Sequence, residues 1–310
     1  MADKIATRQA YGEILAQLGT ENENIVVLDA DLSGSTQTKV FAKAPPDRFF
    51  NMGIAEQNMY AVAAGLAVSG KTVFASTFAM FASGRAYEII RNSIGYPHAN
   101  VKICASHAGL TVGEDGASHQ CNEDLALMRT IPGMTVLNPA DAPSAKKLIR
   151  AAAEMDGPVY VRLGRAAVPV FYDENQEFEI GKGLCLKDGT DCTVIATGVM
   201  VADAMEAAEK LEAEGISVRV IDMHTIKPLD EEIILKAAKE TKGIVTAEEH
   251  TVMGGLGSAV AEVTAKNYPC KIKMIGVQDV FGQSGKPAEL MAKYGLTADD
   301  IAAAVKELLK

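Results

Sequence analysis

The strongest constraint on the fold is a regular alternation of short β-branched runs with Ala-rich helical patterns along the whole chain. Such alternation is typical of α/β layers, in which helices cover both faces of a mostly parallel sheet. The first part of the chain predicts helices at 7–18, 55–69, 84–93 and 142–153, and strands at 25–30, 72–76, 101–106 and 159–163.

The same rhythm resumes in the last third of the chain, with predicted helices at 200–214 and 231–240. Between the two parts, the polar stretch 170–189 contains YDENQEFEIGKG and has no helical period, which indicates a linker. We therefore predict a first α/β domain at 1–172, a linker at 173–189 and a smaller α/β domain at 190–310. The segment GGLGSAVAEVTAK is interpreted as a turn before a helix, because its glycines do not follow the GxGxxG spacing of dinucleotide sites.

Charge and cysteine content narrow the class of function. The formal net charge of -10 disfavours binding to nucleic acid or to anionic membrane surfaces. The five cysteines are odd in number and form no CxxC pair, so neither a disulfide framework nor a zinc site is indicated. With no apolar leader and no membrane-length apolar run, we expect a cytoplasmic protein that acts on small molecules.

Polar residues collect in three loops of the first domain, each directly after a predicted strand. The loops read DADLSGST, STFAMFASGR and SHAGLTVGEDGASHQ. Ligands in open α/β sheets bind outside the carboxyl ends of the strands. We therefore expect the ligand-binding or active site where these loops meet.

Glu56 and a pair of phenylalanines are the first candidate residues. Glu56 begins an otherwise apolar helical pattern, so it is either a first-turn partner of the helix dipole or a buried acid that shares a proton with a ligand nitrogen. Phe78 and Phe81 are either core residues or the walls of a ring-binding pocket.

A cluster in the third loop is the next candidate. His107, Asp115 and His119 fall within thirteen residues, and they can direct several donors and acceptors into a cleft. A metal site is the weaker interpretation, because no further Cys or His stands at ligand spacing. Asp29 and Asp31 near a strand end are either ligands or turn formers.

Five strings in one order resemble the C-terminal half of transketolase over essentially the whole chain: LDADLSGS, NMGIAEQNM, STFAMF, SHAGLTVGEDGASHQ and NPADAPSA. The resemblance implies a thiamine-diphosphate-binding pyrimidine domain followed by the family's C-terminal domain. It implies ketol transfer from a ketose phosphate to an aldose phosphate, as in the pentose phosphate pathway.

The resemblance also assigns roles to individual residues. Glu56 matches the glutamate that binds N1′ of the aminopyrimidine, while Phe78, Phe81 and Asp31 match residues around the cofactor. His107 and His119 match two histidines that contact the donor and assist proton transfer. The positions that match substrate-binding residues, beside these two histidines, are Arg8, Ser35, Asp115 and Arg165. The register that selects Arg165 rather than Arg162 rests on the short string YVRLGR. Gly84 replaces a third pocket aromatic of the family, and Tyr87 is the candidate to fill its place.

No GDG motif followed by Asn, which in this family holds the metal and the diphosphate, occurs in the sequence. The resemblance therefore implies no metal site in this chain. It implies an N-terminal partner subunit that carries the motif and holds Mg²⁺ or Ca²⁺, in a heterotetramer of two chains of each kind with homodimer contacts.

Three alternatives remain open from the sequence. GIAEQ and GRAYE are also consistent with a deoxyxylulose-phosphate synthase. The β subunit of a 2-oxo acid dehydrogenase uses the same cofactor on another donor. A non-catalytic assembly subunit is the third alternative, although such a subunit would have no physical reason to keep Glu56 and both loop histidines.

Overall fold

The computed structural model describes residues 3–310, and its first part is a layered α/β domain. Its strands are β1 (Lys4–Ala6), β2 (Ile25–Asp29), β3 (Phe49–Asn51), β4 (Thr72–Phe78), β5 (Val101–Ser106), β6 (Thr135–Leu137), β7 (Val159–Arg162) and β8 (Ala167–Pro169). Its α-helices are α1 (Thr7–Glu21), α2 (Ser33–Thr36), α3 (Lys39–Lys43), α4 (Glu56–Val68), α5 (Tyr87–Ile89), α6 (Asp124–Arg129) and α7 (Ala142–Glu154). Short 3₁₀ segments span Pro46–Arg48 and Leu110–Asp115, and π-helical segments span Phe81–Arg85 and Ile90–Gly95.

The second part repeats the pattern on a smaller scale. Its strands are β9 (Leu184–Lys187), β10 (Cys192–Ala196), β11 (Val218–Asp222), β12 (Thr225–Lys227), β13 (Ile244–Thr251) and β14 (Ile272–Val277). Its helices are α8 (Met200–Ala213), α9 (Glu231–Glu240), α10 (Leu256–Asn267), α11 (Pro287–Lys293) and α12 (Ala298–Leu309).

Two main sheets organise these elements. The larger has seven strands in the order β12-β6-β7-β5-β4-β2-β3, and the smaller has five in the order β14-β13-β10-β11-β9. All neighbours are parallel except β12 against β6 and β9 against β11. β1 and β8 form a separate antiparallel pair. The predicted fold class, a parallel sheet with helices on both faces followed by a smaller α/β domain, is confirmed.

Strand β2 explains why helices lie on both faces of the larger sheet. Its buried side chains alternate between two apolar clusters: Ile25 and Val27 face one, and Val26 and Leu28 face the other. Because both faces are apolar, each must be covered by helices.

Strand β12 connects the two parts of the chain. It follows β11 of the smaller sheet, yet Thr225 pairs with Leu137 at the edge of the larger sheet. The larger sheet is therefore completed by a strand from the predicted C-terminal domain. The predicted boundaries at 172 and 190 stay predictions.

Two local predictions differ from the structure. The predicted helix at 84–93 is α-helical only at Tyr87–Ile89, between the two π-helical segments. Strand β9 lies inside the predicted linker. It is an edge strand whose side chains are only partly covered, so the surrounding polar composition gave no sign of a buried strand. Within residues 3–310, no helix has the length and apolarity needed to cross a membrane.

Candidate functional site

The three predicted loops converge because their strands are neighbours. β2, β4 and β5 lie side by side and parallel, so their carboxyl ends meet at one edge of the larger sheet. The register between β4 and β5 determines which residues lie side by side. Phe78, the last residue of β4, pairs with Ser106, the last residue of β5. The next residue, His107, is thereby placed beside Phe78.

Aromatic rings form a continuous wall at this edge. The Phe78 ring stacks on His107 with 3.8 Å between centroids, and on Phe81 with 5.8 Å. His119 meets Phe81 edge to face at 5.5 Å. The two phenylalanines and two histidines of the sequence prediction thus lie together, and Phe78 is buried with 8% of its surface exposed.

Glu56 is buried at the start of α4 and faces Arg85. Only 2% of its surface is exposed, and both carboxylate oxygens lie 2.9 Å from Arg85 Nη1. The Arg85 guanidinium also stands 4.6 Å from the centre of the Phe81 ring. A planar N–H donor therefore touches the carboxylate and the aromatic face at the same time.

Two cavities are lined by Arg85. A cavity of about 600 Å³ runs from Met80, Phe81 and Arg85 to Phe281. Another of about 390 Å³ lies over Glu56 and is also lined by Arg85. The half-exposed Arg85 side chain thus borders both the cavity along the aromatic wall and the cavity over the Glu56 carboxylate.

The environment of His107 keeps its ring neutral. Burial, then the nearby Arg8, Arg165 and His119, lower the pKa of His107 to about 3. Its Nδ1 lies 2.9 Å from the hydroxyl oxygen of Ser106. A neutral imidazole can accept a proton or a hydrogen bond through one nitrogen while it donates through the other.

Arg8 and Arg165 bring two cations to the same end of the site. Arg8 Nη1 donates to the Ser35 carbonyl at 2.6 Å, and Arg8 Nε donates to the Arg165 carbonyl at 3.3 Å. Burial and the neighbouring Arg165 lower the pKa of Arg8. Two guanidinium groups at one end of a site are suited to bind an anion, because each presents a planar set of N–H donors.

The remaining predicted residues differ in placement. Asp31 has a φ of 63° and accepts a hydrogen bond from Asn51 Nδ2 at 2.9 Å. Asp115 ends the 3₁₀ segment with an exposed side chain. Asp29 is buried and accepts from the backbone N–H of Leu32 at 2.6 Å, so it forms the turn after β2.

Two further positions left open by the sequence can also be placed. The Tyr87 hydroxyl lies 2.9 Å from Thr130 Oγ1, so this ring is held against the segment after α6. The buried Arg162 donates through Nε to Asp124 at 2.9 Å, which leaves Arg165 as the arginine of YVRLGR that lies near Arg8.

Sequence reasoning missed Arg85. Arg85 lies in the motif GRAYE, and its position four residues after Phe81 is the sequence signal that the two side chains share one helical face. Among residues 3–310, no group of three or more His, Cys, Asp or Glu side chains is arranged to hold a metal ion.

We expect the His107 imidazole to stay neutral from pH 8 down to about pH 4, because the pKa is about 3. Unfolded histidine titrates near 6.5, so below that pH the unfolded state binds a proton first and the free energy of unfolding falls as the pH drops toward 3. ¹⁵N NMR of the ring nitrogens measures this directly, with His107→Asn to assign the signal and to isolate the pH slope of stability. A titration midpoint near 6.5 would show that the ring is solvated.

Comparison with known proteins identifies the fold and its family. The model of the transketolase pyrimidine binding domain matches residues 3–170, and that of the transketolase C-terminal domain matches residues 181–301. A "Putative transketolase C-terminal section" from Methanocaldococcus jannaschii is 57% identical over 98% of this chain and 96% of its own length. The chain belongs to the transketolase family, as the sequence motifs predicted.

Further comparisons are with a solved structure, with another subunit-sized relative and with full-length relatives. A solved structure described as "Split gene transketolase, inactive beta4 tetramer" superimposes with a TM-score of 0.93 and 59% identity, over 98% of each chain. A 6-deoxy-6-sulfo-D-fructose transketolase subunit from a Clostridium species is 42% identical over 97% of this chain and 94% of its own length. Mammalian transketolases match the whole chain, which spans only about 50% of their length.

Proposed function

We propose that this chain is the C-terminal subunit of a split transketolase. With an N-terminal partner it transfers a two-carbon ketol unit from a ketose phosphate to an aldose phosphate, in the cytoplasmic pentose phosphate pathway. Family membership, the half-length match to mammalian transketolases and the similarity to a split-gene transketolase support the proposal.

The observation that carries the proposal is the position of the Arg85 guanidinium. It is a flat group with N–H donors, and it hydrogen-bonds to Glu56 while lying against Phe81. An aminopyrimidine needs the same two partners, a carboxylate for a ring nitrogen and an aromatic face for its plane. The residues present therefore fit the pyrimidine end of thiamine diphosphate, provided that Arg85 withdraws.

Each residue has a role in this proposal. Bound thiamine diphosphate supplies a thiazolium that stabilises a carbanion. Glu56 would hold a proton at the pyrimidine nitrogen, Phe78 and Phe81 would orient the ring, and Asp31 is a further candidate to contact the cofactor. The neutral ring of His107 would bind a donor oxygen and move a proton, and His119 would assist it.

The substrate phosphate is proposed to lie between Arg8 and Arg165, next to Ser35. Arg8 donates through Nε to the Arg165 backbone carbonyl at 3.3 Å, and burial together with the Arg165 charge lowers the pKa of Arg8, which supports this placement. Asp115 is the candidate to bind a sugar hydroxyl, since it lies on the same loop as the histidines.

The diphosphate and Mg²⁺ or Ca²⁺ are assigned to the partner subunit with the GDG motif. The sequence of this chain has no such motif. Two chains of each kind would form a heterotetramer, with the cofactor bound across the interface between unlike subunits.

The test is a reconstitution assay. We expect no ketol transfer from xylulose 5-phosphate to ribose 5-phosphate by this chain with thiamine diphosphate and Mg²⁺, and activity when the GDG-containing partner is added. Activity of the lone chain would disprove the dependence on a partner.

Donor choice is tested in the same mixture. Pyruvate and 6-deoxy-6-sulfo-D-fructose replace xylulose 5-phosphate in parallel reactions, because a similar subunit carries the second donor in its name. Turnover of pyruvate alone would favour a deoxyxylulose-phosphate synthase or a 2-oxo acid dehydrogenase. No turnover of any donor would favour an assembly subunit.

A further inference from the structure

The loop from His107 to Gln120, here called the histidine loop, belongs to the first domain but is covered by the second. Its 3₁₀ segment Leu110–Asp115 packs against α11, and Pro287 lies close to Gly113. Gly116 is similarly close to Ser284. The loop that carries two proposed catalytic histidines is thus enclosed by residues more than a hundred positions later in the chain.

Glu249 makes the central contact with this loop. It lies on β13 with 2% of its surface exposed, and its Oε1 accepts a hydrogen bond from the Thr111 backbone N–H at 2.5 Å. Its carboxylate also fills the space that a side chain at Gly109 would need, where φ is 78°. The backbone at 109–111 is therefore shaped around this one carboxylate.

Gln120 provides a second connection at the other end of the loop. Its Nε2 lies 3.1 Å from the Gly113 carbonyl and 2.9 Å from the Gln283 carbonyl of the second domain. One side chain thus closes the loop on itself and fastens it to the second domain.

Glu249 is itself held in place by further contacts. The Glu249 carbonyl accepts a hydrogen bond from Arg162 Nη2 at 2.9 Å, and Arg162 is paired with the buried Asp124. Because the Glu249 side chain is buried and its backbone carbonyl is bonded to the buried Arg162, its carboxylate has little freedom to follow a moving loop.

We propose that Glu249 is a positioning residue that fixes the histidine loop, and that the second domain thereby completes the site. The proposal rests on the proposed function for its catalytic consequence, but the contact itself can be tested without activity. It assigns to the second domain a role that the sequence alone leaves open.

Glu248 offers a matched control on the same strand. It is also fully buried, and it accepts from the backbone N–H groups of Leu256 and Gly257 at 2.7 and 2.8 Å. These donors begin α10, within the second domain. The two neighbouring glutamates therefore make the same kind of contact, one within its domain and the other between domains.

Hydrogen exchange measured by mass spectrometry on the full chain tests the contact. Glu249→Asp withdraws the carboxylate by one methylene, and we expect exchange at 108–116 to accelerate about tenfold, the effect of losing one hydrogen bond. Glu249→Gln keeps the length and an acceptor oxygen, so the loop should stay protected. Glu248→Asp should accelerate exchange only at the start of α10. Unchanged loop exchange in Glu249→Asp, or equal acceleration there in Glu248→Asp, would overturn the proposal.

The catalytic consequence is measured with the partner subunit present. Glu249→Asp should lower kcat for ketol transfer by about 10- to 100-fold, because small misplacements of reacting groups are costly, and should leave the KM for thiamine diphosphate near that of the unchanged protein. Glu249→Gln and Glu248→Asp should keep most of the rate. If the unchanged pair shows no ketol transfer, the proposed function fails while the exchange data still decide the contact. A loosened loop with an unchanged kcat would refute the catalytic role alone.

Discussion

Replacing Glu56 with Gln is expected to lower ketol transfer by the reconstituted enzyme by about 10²- to 10⁴-fold. Glutamine keeps the volume and one acceptor oxygen but cannot hold or release a proton, and proton transfer by a positioned side chain is worth rate factors of this size. The carboxylate is buried and faces a cavity, so water is a poor substitute for it. The measurement is kcat with saturating cofactor and both substrates.

Glu88→Gln is the matched control for this prediction. Glu88 lies on α5, close in sequence to Arg85, and its side chain is exposed. We expect its replacement to leave kcat within about twofold, since surface substitutions have small effects. A Glu56→Gln enzyme that kept a third or more of the rate would remove Glu56 from the proposed chemistry.

The general fold and the candidate site's loops could be predicted from the sequence because both depend on short-range patterns. Runs of β-branched residues predicted β2, β4 and β5, and the polar residues after each strand predicted where loops would meet. Contact between Phe78 and His107 also depends on β4 and β5 being neighbours, which the sequence does not specify. The resemblance to transketolase, rather than the strand pattern, predicted that these residues belong to one site.

Long-range contacts could not be predicted in the same way. Thr111 and Glu249 are separated by 138 positions, and their hydrogen bond exists only because the second domain lies over the first. Glu56 and Arg85 are 29 positions apart, and their contact depends on the π-helical turn Phe81–Arg85. Neither periodicity nor composition carries information about such pairings.

Strand β12 illustrates the same limit for domain organisation. A linker was predicted from polar composition, but the division of a chain into domains also depends on which sheet each strand joins. Thr225 belongs to the second part of the sequence and pairs within the first sheet. A strand that joins the sheet of the other domain leaves no sign in the hydrophobic pattern, because it is buried in either location.

Arg162→Met is expected to lower the free energy of unfolding by about 3–5 kcal/mol, the cost of leaving a buried charge without its partner. Arg162 and Asp124 are both almost fully buried, with 2.9 Å between Nε and Oδ2. Tyr160 also donates to Asp124 at 2.7 Å, so the carboxylate is the centre of a closed network. Urea denaturation of the full chain measures the change.

Lys182→Met is the control, because the Lys182–Glu232 pair is exposed and such pairs contribute about 0–1 kcal/mol. The decisive comparison is the double variant Arg162→Met with Asp124→Leu, which removes both charges. If Arg162→Met loses stability because the Asp124 carboxylate is left unpaired, the double variant should recover much of the lost free energy of unfolding. Recovery should be incomplete, since the double variant leaves the Glu249 carbonyl without its Arg162 donor and the buried Tyr160 hydroxyl without its Asp124 acceptor. The Asp124→Leu single variant completes the comparison. If the double variant lost as much stability as the two single variants together, the stabilisation would come from packing of the arginine side chain rather than from its charge.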